Sequence, residues 1–144
     1  MIALIKIDGI SFNAEWQSKS FEQVADILNG DNVGRLQNTG DMYLDPIGTF
    51  YNTNGTIIRS QKCTDAEWDK LFKILSNPLS EHTVEIPFDQ GYLTTKVYIS
   101  QVKRTLIDQK FNRNKWSASY SVTFTAMESQ WPAGGELQGY TVGV

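Results

Sequence analysis

The chain has 144 residues, of which 40% are hydrophobic and 20% charged, and its net charge is −3. This length and balance suit one globular domain with a core of its own. No apolar run approaches the ~20 residues that a membrane-spanning helix needs, so we expect no membrane partner.

The first residues have the pattern of a β-hairpin. Ile5-Lys6-Ile7 alternates between apolar and polar, and Asp8-Gly9 is a two-residue turn signal, because glycine tolerates the positive φ that such turns need. Alternation continues from Ile10 to Trp16, which predicts a half-buried strand.

Residues 20–29 leave two interpretations open. Phe21, Val24, Ala25 and Leu28 have helical spacing, and Ser20 with Gln23 is compatible with a capping box. The segment is therefore either a short helix or an irregular excursion from the sheet.

From residue 30 to residue 55 the chain is rich in turn-forming residues that separate short apolar pieces. A loop this long in a small domain is usually functional, and its aromatic content argues against disorder. We therefore predict an arm at about residues 31–55 that contacts a partner through exposed apolar groups. The predicted contact residues of the arm are Asp41, Met42, Tyr43, Leu44, Phe50 and Tyr51.

The strongest helix signal follows the arm. Thr64 and Glu67 have the spacing of a capping box, and early acids suit the positive end of the helix dipole. The apolar stripe consists of Trp68, Leu71, Phe72 and Leu75. Asn77-Pro78 should end this helix, which we expect to pack on the sheet.

The second half of the chain predicts strands. They cover residues 82–88, with Pro87 favouring an edge position, and the alternating stretch around Leu93 to Ile99. Residues 116–126 alternate apolar with hydroxyl side chains over eleven positions, which predicts a strand of ~37 Å. After residue 130 a Pro/Gly-rich stretch predicts a flexible or neighbour-docking tail at 131–144, beside a domain at 1–130.

Catalytic and metal-binding patterns are weak. The single histidine, His82, is more often structural or solvated at a strand end than catalytic. Cys63 is the only cysteine, so it cannot form an internal disulfide, lacks zinc-ligand partners and has no visible activating base. Acids at 65, 67 and 69 are explained by the helix start. We therefore predict no catalytic residues, no metal and no cofactor.

Charge is divided unevenly along the chain. Residues 96–115 carry six basic groups and one acid, whereas residues 1–95 carry seven basic groups and thirteen acids. Opposite charges in separate parts of the chain favour head-to-tail pairing of copies, which adds Lys103 and Arg104 to the predicted interface. A solvated basic hairpin is the alternative. The interleaved bases and aromatics of residues 110–116 are also compatible with single-stranded nucleic acid, although a charged hairpin tip is the favoured interpretation.

The order of these elements resembles the small tail proteins of siphophages and prophages of Gram-positive bacteria, which share the tail-tube fold. The similarity covers roughly residues 2–130 and rests on the order of the elements and on short sequence segments. These segments are the Ile-Lys-Ile-Asp-Gly hairpin, Gly40-Asp41-Met42-Tyr43-Leu44-Asp45-Pro46 in the arm, Ala66-Glu67-Trp68-Asp69-Lys70-Leu71-Phe72 in the helix, and the strand segments Lys96-Val97-Tyr98-Ile99-Ser100 and Ser119-Tyr120-Ser121-Val122-Thr123-Phe124.

The resemblance implies a mainly β fold, an antiparallel sandwich or half-barrel with one packing helix. It further implies a virion protein, assembled in the bacterial host cytoplasm, whose six copies form rings around a channel for DNA. The rings would stack into a tail tube, and the arm at 31–55 would contact the next subunit or ring. The implied partners are the chain itself, the tape measure and the distal tail protein.

Two alternatives stay open. The first is a single ring near the baseplate, such as a distal tail adaptor, because the same fold serves both. The second belongs to another class, a carbohydrate-binding β-sandwich that would use Trp16, Trp68, Trp116 or Trp131. Three of these tryptophans lie on apolar faces that we expect to be buried in the hydrophobic core.

Overall fold

The computed structural model describes residues 5–30 and 34–142. Within these ranges lie fourteen strands and one helix. They are β1 (Ile5–Ile7), β2 (Ile10–Phe12), β3 (Ala14–Trp16), β4 (Glu22–Asn29), β5 (Gly34–Arg35), β6 (Met42–Tyr43), β7 (Pro46–Arg59), α1 (Asp65–Leu75), β8 (His82–Phe88), β9 (Gly91–Lys103), β10 (Leu106–Lys110), β11 (Arg113–Trp116), β12 (Ser119–Ala126), β13 (Trp131–Pro132) and β14 (Tyr140–Val142).

Ten strands form one curled antiparallel sheet, a half-barrel, which confirms the predicted mainly β class with one helix. The main path through this sheet is β13-β7-β12-β9-β8-β1-β2. Strands β3 and β4 also pair with β7, and β14 pairs with β9. Two separate hairpins, β5–β6 and β10–β11, stand outside the sheet.

The N-terminal hairpin is confirmed. Strands β1 and β2 pair antiparallel, and the turn residues Asp8 and Gly9 both have positive φ, as the Asp-Gly signal predicts. The following strand is split at Asn13, after which β3 leaves β2 and pairs with β7. Asn13 is fixed at this corner because its backbone N–H donates to Glu67 Oε1 at 2.7 Å.

The helix begins and ends as predicted, but its capping box is only half formed. Thr64 Oγ1 accepts the Glu67 backbone N–H at 3.2 Å. The Glu67 carboxylate, by contrast, accepts from Asn13 on the neighbouring corner. The predicted N-terminal bond inside the helix is thus replaced by a tertiary bond that ties α1 to the β2–β3 corner.

This tertiary bond predicts a specific pH dependence. The backbone N–H of Asn13 lowers the pKa of Glu67 below its ordinary value. The bond therefore stabilises the fold fully above the unfolded-state pKa of ~4.3, and the gain is lost as pH falls through the lower folded-state pKa. Glu67→Gln should cost ~1 kcal/mol at pH 7 and flatten the acid limb of stability against pH, measured by urea unfolding from pH 7 to pH 3.

Glu15→Gln removes a carboxylate from an exposed position of β3 and serves as the matched control for this experiment. It should leave the acid limb as steep as in the unmodified chain. Equal slopes for Glu67→Gln and the unmodified chain would contradict the assigned role of Glu67.

The core lies between the helix and one face of the sheet. Trp68 and Tyr120 stack with ring centroids 3.9 Å apart and planes inclined by 13°. The Trp68 indole N–H donates to the Ser117 carbonyl at 3.0 Å, and the Tyr120 hydroxyl donates to the Trp68 carbonyl at 2.8 Å. Burial raises the pKa of Tyr120 to about 12. Among the described residues, no helix has the length and apolar character to span a bilayer.

Residues 22–29 form strand β4, so both the helix and the irregular excursion considered for residues 20–29 are wrong. The helical spacing does not correspond to a buried face, because Val24, Ala25 and Leu28 are all exposed. Instead, β4 pairs with β7 from Glu22 to Asn29. Long-range pairing with β7 outweighs the local helical periodicity, because the apolar side chains of that periodicity are not buried in a core.

The arm predicted at residues 31–55 is partly a central strand, because β7 starts at Pro46 and continues through Gly55 to Arg59. Asn52-Thr53-Asn54-Gly55 is one of the stretches of turn-forming residues in this region, yet it lies within β7 and makes side-chain contacts in the sheet. Asn52 accepts the Ala126 backbone N–H at 2.8 Å, and a Cβ at Gly55 would come 3.0 Å from the Trp16 ring. Glycine at position 55 therefore gives Trp16 room to pack and does not serve a turn.

The predicted eleven-residue strand at 116–126 is shorter in the structure. It breaks at Ser117 and Ala118 into β11 and β12. The Ser117 hydroxyl donates to the Ser119 carbonyl at 2.9 Å and accepts the Thr105 N–H at 3.2 Å, so it interrupts the ladder. The predicted alternation holds in β12, where Tyr120, Val122 and Phe124 are buried.

Residues 131–142 pair with their own chain, where the sequence predicted a flexible or neighbour-docking tail. Strand β13 pairs with β7 at Thr49 and Gly48, and β14 pairs with β9. Buried Gln130 anchors this segment, because it donates to Thr95 Oγ1 at 2.6 Å and accepts the Tyr51 N–H at 3.0 Å. The edge position predicted for residues 82–88 is not observed, because β8 lies between β9 and β1 in the sheet order. The register of β1 with β8 is limited to Val84, so Pro87 has no partner from β1.

Candidate interaction surfaces

His82 is a structural residue. Its side chain is buried, with Nδ1 2.8 Å from Asp8 Oδ2 and Nε2 3.2 Å from the Asn77 carbonyl oxygen. Asp8 also accepts the Thr83 N–H at 2.9 Å. The imidazole thus joins the first hairpin turn to the segment after α1, and both ring nitrogens are engaged inside the protein.

Cys63 is also held inside the fold. The thiol is buried beside the start of α1, and burial, followed by the nearby Glu67 carboxylate, raises its pKa. A raised pKa lowers the thiolate fraction, which is the nucleophilic form. Within residues 5–30 and 34–142, no three His, Cys, Asp or Glu side chains are grouped closely enough to hold a metal ion.

The first candidate surface is a ribbon made by β4 and the first half of β7, to whose other side β13 adds a short pairing at Gly48 and Thr49. In the part of the chain that the structure describes, no strand pairs with β4 on the side away from β7. The ribbon is an eight-residue edge with unpaired backbone groups, which is the usual template for pairing with another chain.

Both faces of the ribbon expose apolar side chains. One face holds Val24 and Leu28 on either side of Asp26, and half-buried Phe50 of β7 lies directly across from Asp26. The other face holds Ile27, which is 66% exposed, and Ile47. A strand of a solvated sheet normally has one polar face, so apolar groups on both faces indicate a contact surface.

The ribbon and the β5–β6 hairpin together form the observed arm, residues 22–30 and 34–52; residues 31–33 of the predicted arm lie outside the described residues. Among the predicted interface residues, Asp41, Met42 and Leu44 are exposed on this arm. Tyr51 is half-buried and packs edge-on against Phe88, with ring centroids 5.0 Å apart. The backbone of Tyr43 lies in β6.

The second candidate surface is a groove of about 910 Å³ between α1 and the β10–β11 hairpin. It lies at the end of β7 that carries Arg59, opposite the arm. Its polar lining includes Arg59, Asp65, Asp69, Lys110, Arg113 and Lys115. Its apolar lining includes Ile107, Trp68 and Trp116. The tip of the hairpin exposes Phe111 almost completely, at 93%.

Arg104 fixes the hairpin against the helix. Its guanidinium lies 3.9 Å from the ring centroids of both Phe72 and Trp116, and one of its nitrogens lies 3.9 Å from Asp69. A cation between two aromatic rings is well held. Arg104 is therefore engaged within its own chain, whereas neighbouring Lys103 is exposed.

The structure does not bring all the predicted interface residues together. Lys103 pairs with Ser121, which pairs across with Thr56 on β7, whereas Phe50 lies six residues earlier on that strand. Six residues of β-strand span about 20 Å. The arm residues and the pair Lys103 and Arg104 thus belong to two separate surfaces of the half-barrel.

The positions of the four tryptophans differ from those of an exposed aromatic platform on which a carbohydrate would stack. Trp68 is buried, and Trp16 packs edge-on against Phe21 and Phe124 in the core. Trp116 lies over Arg104. Trp131 is the exposed one, at 47%, and its indole N–H donates to the Gly135 carbonyl.

The sequence predicts an arm but neither strand β4 as its outer edge nor the groove as a surface. The exposed residues Val24, Ile27 and Leu28 lie in the segment 20–29, for which the sequence leaves two interpretations open. The groove combines residues from β7, α1 and the hairpin, which are far apart along the chain. Its one local signal was the basic and aromatic hairpin at 110–116. No protein family, curated protein or solved structure matches this chain.

Proposed function

We propose that this chain is a structural subunit of a phage tail tube, in which rings of six copies stack around a channel for DNA. The observation that carries the proposal is the β4–β7 ribbon, an open edge with apolar side chains exposed on both faces. Proteins that stay monomeric usually protect such an edge with charges, proline or a covering element. Here Asp26 is the one charged side chain between Gln23 and Asn29.

The curvature of the sheet supports the same proposal. A half-barrel leaves the ends of its sheet open, and joining copies edge to edge around a ring removes those free edges. The net charge of −3 would limit adhesion of DNA to the wall of such a channel. In this proposal the tape measure and the distal tail protein are the neighbouring partners in the virion.

Assembly of the purified protein tests the proposal. We expect negative-stain microscopy to reveal rings or tubes of one diameter, and sedimentation to give a species of about 98 kDa, six times the 16.3 kDa chain. Single rings without tubes would favour the baseplate adaptor over the tube. A chain that remains strictly monomeric at high concentration would contradict both.

A further inference from the structure

The groove between α1 and the β10–β11 hairpin has basic groups that form no direct ion pair with the described residues of their own chain. Arg59 pairs with Asp65 at 2.7 Å, Arg104 lies near Asp69, and Lys110 lies 3.9 Å from Asp108. Arg113 and Lys115, both exposed on β11, form no ion pair with any described residue.

The arm at the other end of the molecule has the opposite character. Residues 22–47 contain five acids and one base, a net charge of −4, whereas residues 103–115 contain five bases and one acid, a net charge of +4. Asp41 and Asp45 are exposed and place two carboxylates beside the exposed side chains of Met42 and Leu44. The groove has cationic side chains beside the apolar Ile107 and Trp116. The arm and the groove therefore carry opposite charges, and each has apolar side chains next to its charges.

We propose that the groove binds the acidic arm of a second copy of this chain, so that copies join head to tail. This inference rests on the proposed assembly and identifies the receptor for the arm. The carboxylates of Asp41 and Asp45 would pair with Arg113 and Lys115, and Met42 and Leu44 would cover Ile107.

The arm cannot fill the groove of its own molecule. Strand β7 separates the two surfaces, with Pro46 at the arm and Arg59 at the groove. Its fourteen residues span about 45 Å at the rise of an antiparallel strand. The contact must therefore form between copies, and a contact between two different surfaces repeats without limit unless it closes into a ring.

Charge reversal on each side tests the contact. One variant carries Arg113→Glu with Lys115→Glu, and the other carries Asp41→Lys with Asp45→Lys. Each variant alone opposes like charges, so sedimentation at 0.1 M salt should reveal at least ~100-fold weaker head-to-tail association. Mixed together, the two variants restore opposite charges at both ends of each molecule, so association should return.

Lys70→Glu with Lys73→Glu is the matched control, because it makes the same change in net charge on exposed positions of α1 outside the groove lining. It should stack as the unmodified chain does. Failure of the mixed variants to associate would overturn the inference. So would stacking by the Arg113 and Lys115 variant alone.

If the groove bound nucleic acid instead of the arm, the same variants would give a different result. The overturning outcome would be tight binding of a single-stranded DNA oligomer that the Arg113 and Lys115 substitutions abolish, while stacking is unchanged. The two proposals can fail separately, because tubes that form equally well with the Arg113 and Lys115 variant would contradict only the arm–groove contact. A monomeric unmodified chain would contradict the proposed function as well.

Discussion

Replacing Trp68 with alanine should lower the free energy of unfolding by ~3–5 kcal/mol, the usual cost of removing a buried aromatic side chain. Trp68 is 2% exposed and stacks on Tyr120. Its loss would leave a cavity between α1 and the sheet and would also remove the donor to the Ser117 carbonyl. Buried polar groups left without partners add to the cost.

Urea unfolding followed by circular dichroism measures this loss. Trp131→Ala is the matched control, since it removes the same side chain from an exposed position on β13. We expect the control to cost less than ~1 kcal/mol, because surface substitutions usually have small effects. If the two variants unfold at the same urea concentration, the helix does not pack on the sheet through Trp68.

Ile27→Lys should abolish assembly while leaving the monomer folded. Ile27 is 66% exposed on the free edge of β4, so its replacement removes little buried apolar surface within one chain. A lysine on an edge strand opposes pairing with another strand, because burying its charge at an interface is costly. Sedimentation and microscopy should reveal monomers, with a free energy of unfolding within ~0.5 kcal/mol of that of the unmodified monomer.

Leu79→Lys provides the comparison for this substitution. Leu79 is exposed between α1 and β8, at a distance from the ribbon in the chain and in the sheet order. It introduces the same charge in place of an aliphatic side chain, and assembly should persist. Assembly by Ile27→Lys equal to that of Leu79→Lys would remove the β4 edge from the interface.

Local signals were sufficient for much of the fold. The Asp8-Gly9 turn, the Thr64 cap and the alternation in β9 and β12 each depend on neighbours within a few residues. Such signals are strong because backbone geometry and the burial of one face agree. The mainly β class with one helix follows from them.

Long-range pairing explains the errors. Strand β4 has a helical spacing in sequence, and only its pairing with β7 makes it a strand. In the sequence Gly55 resembles a turn glycine, because its contact with Trp16 forms only in the folded sheet. Neither partner lies within a short window of residues, because the β4–β7 pairs are 17 to 32 positions apart and Gly55 is 39 positions from Trp16.

The surfaces were predictable to different degrees. Turn-forming residues beside Met42 and Leu44 indicate the arm, since exposed apolar groups in a loop-rich segment usually mark a contact surface. The groove depends on Arg104 holding β11 against α1, a contact between aromatic rings that come from different elements. Composition alone could indicate the excess of basic charge there, but not the cavity.

Strand β7 also has a mechanical consequence. It connects the arm to the groove without interruption and is bonded along its length to β4 and β12. A pulling force applied between the two ends would act parallel to the strands, so the ladder bonds would be loaded in shear, many at once, rather than peeled apart one at a time. The domain should therefore resist extension along β7 more than across it.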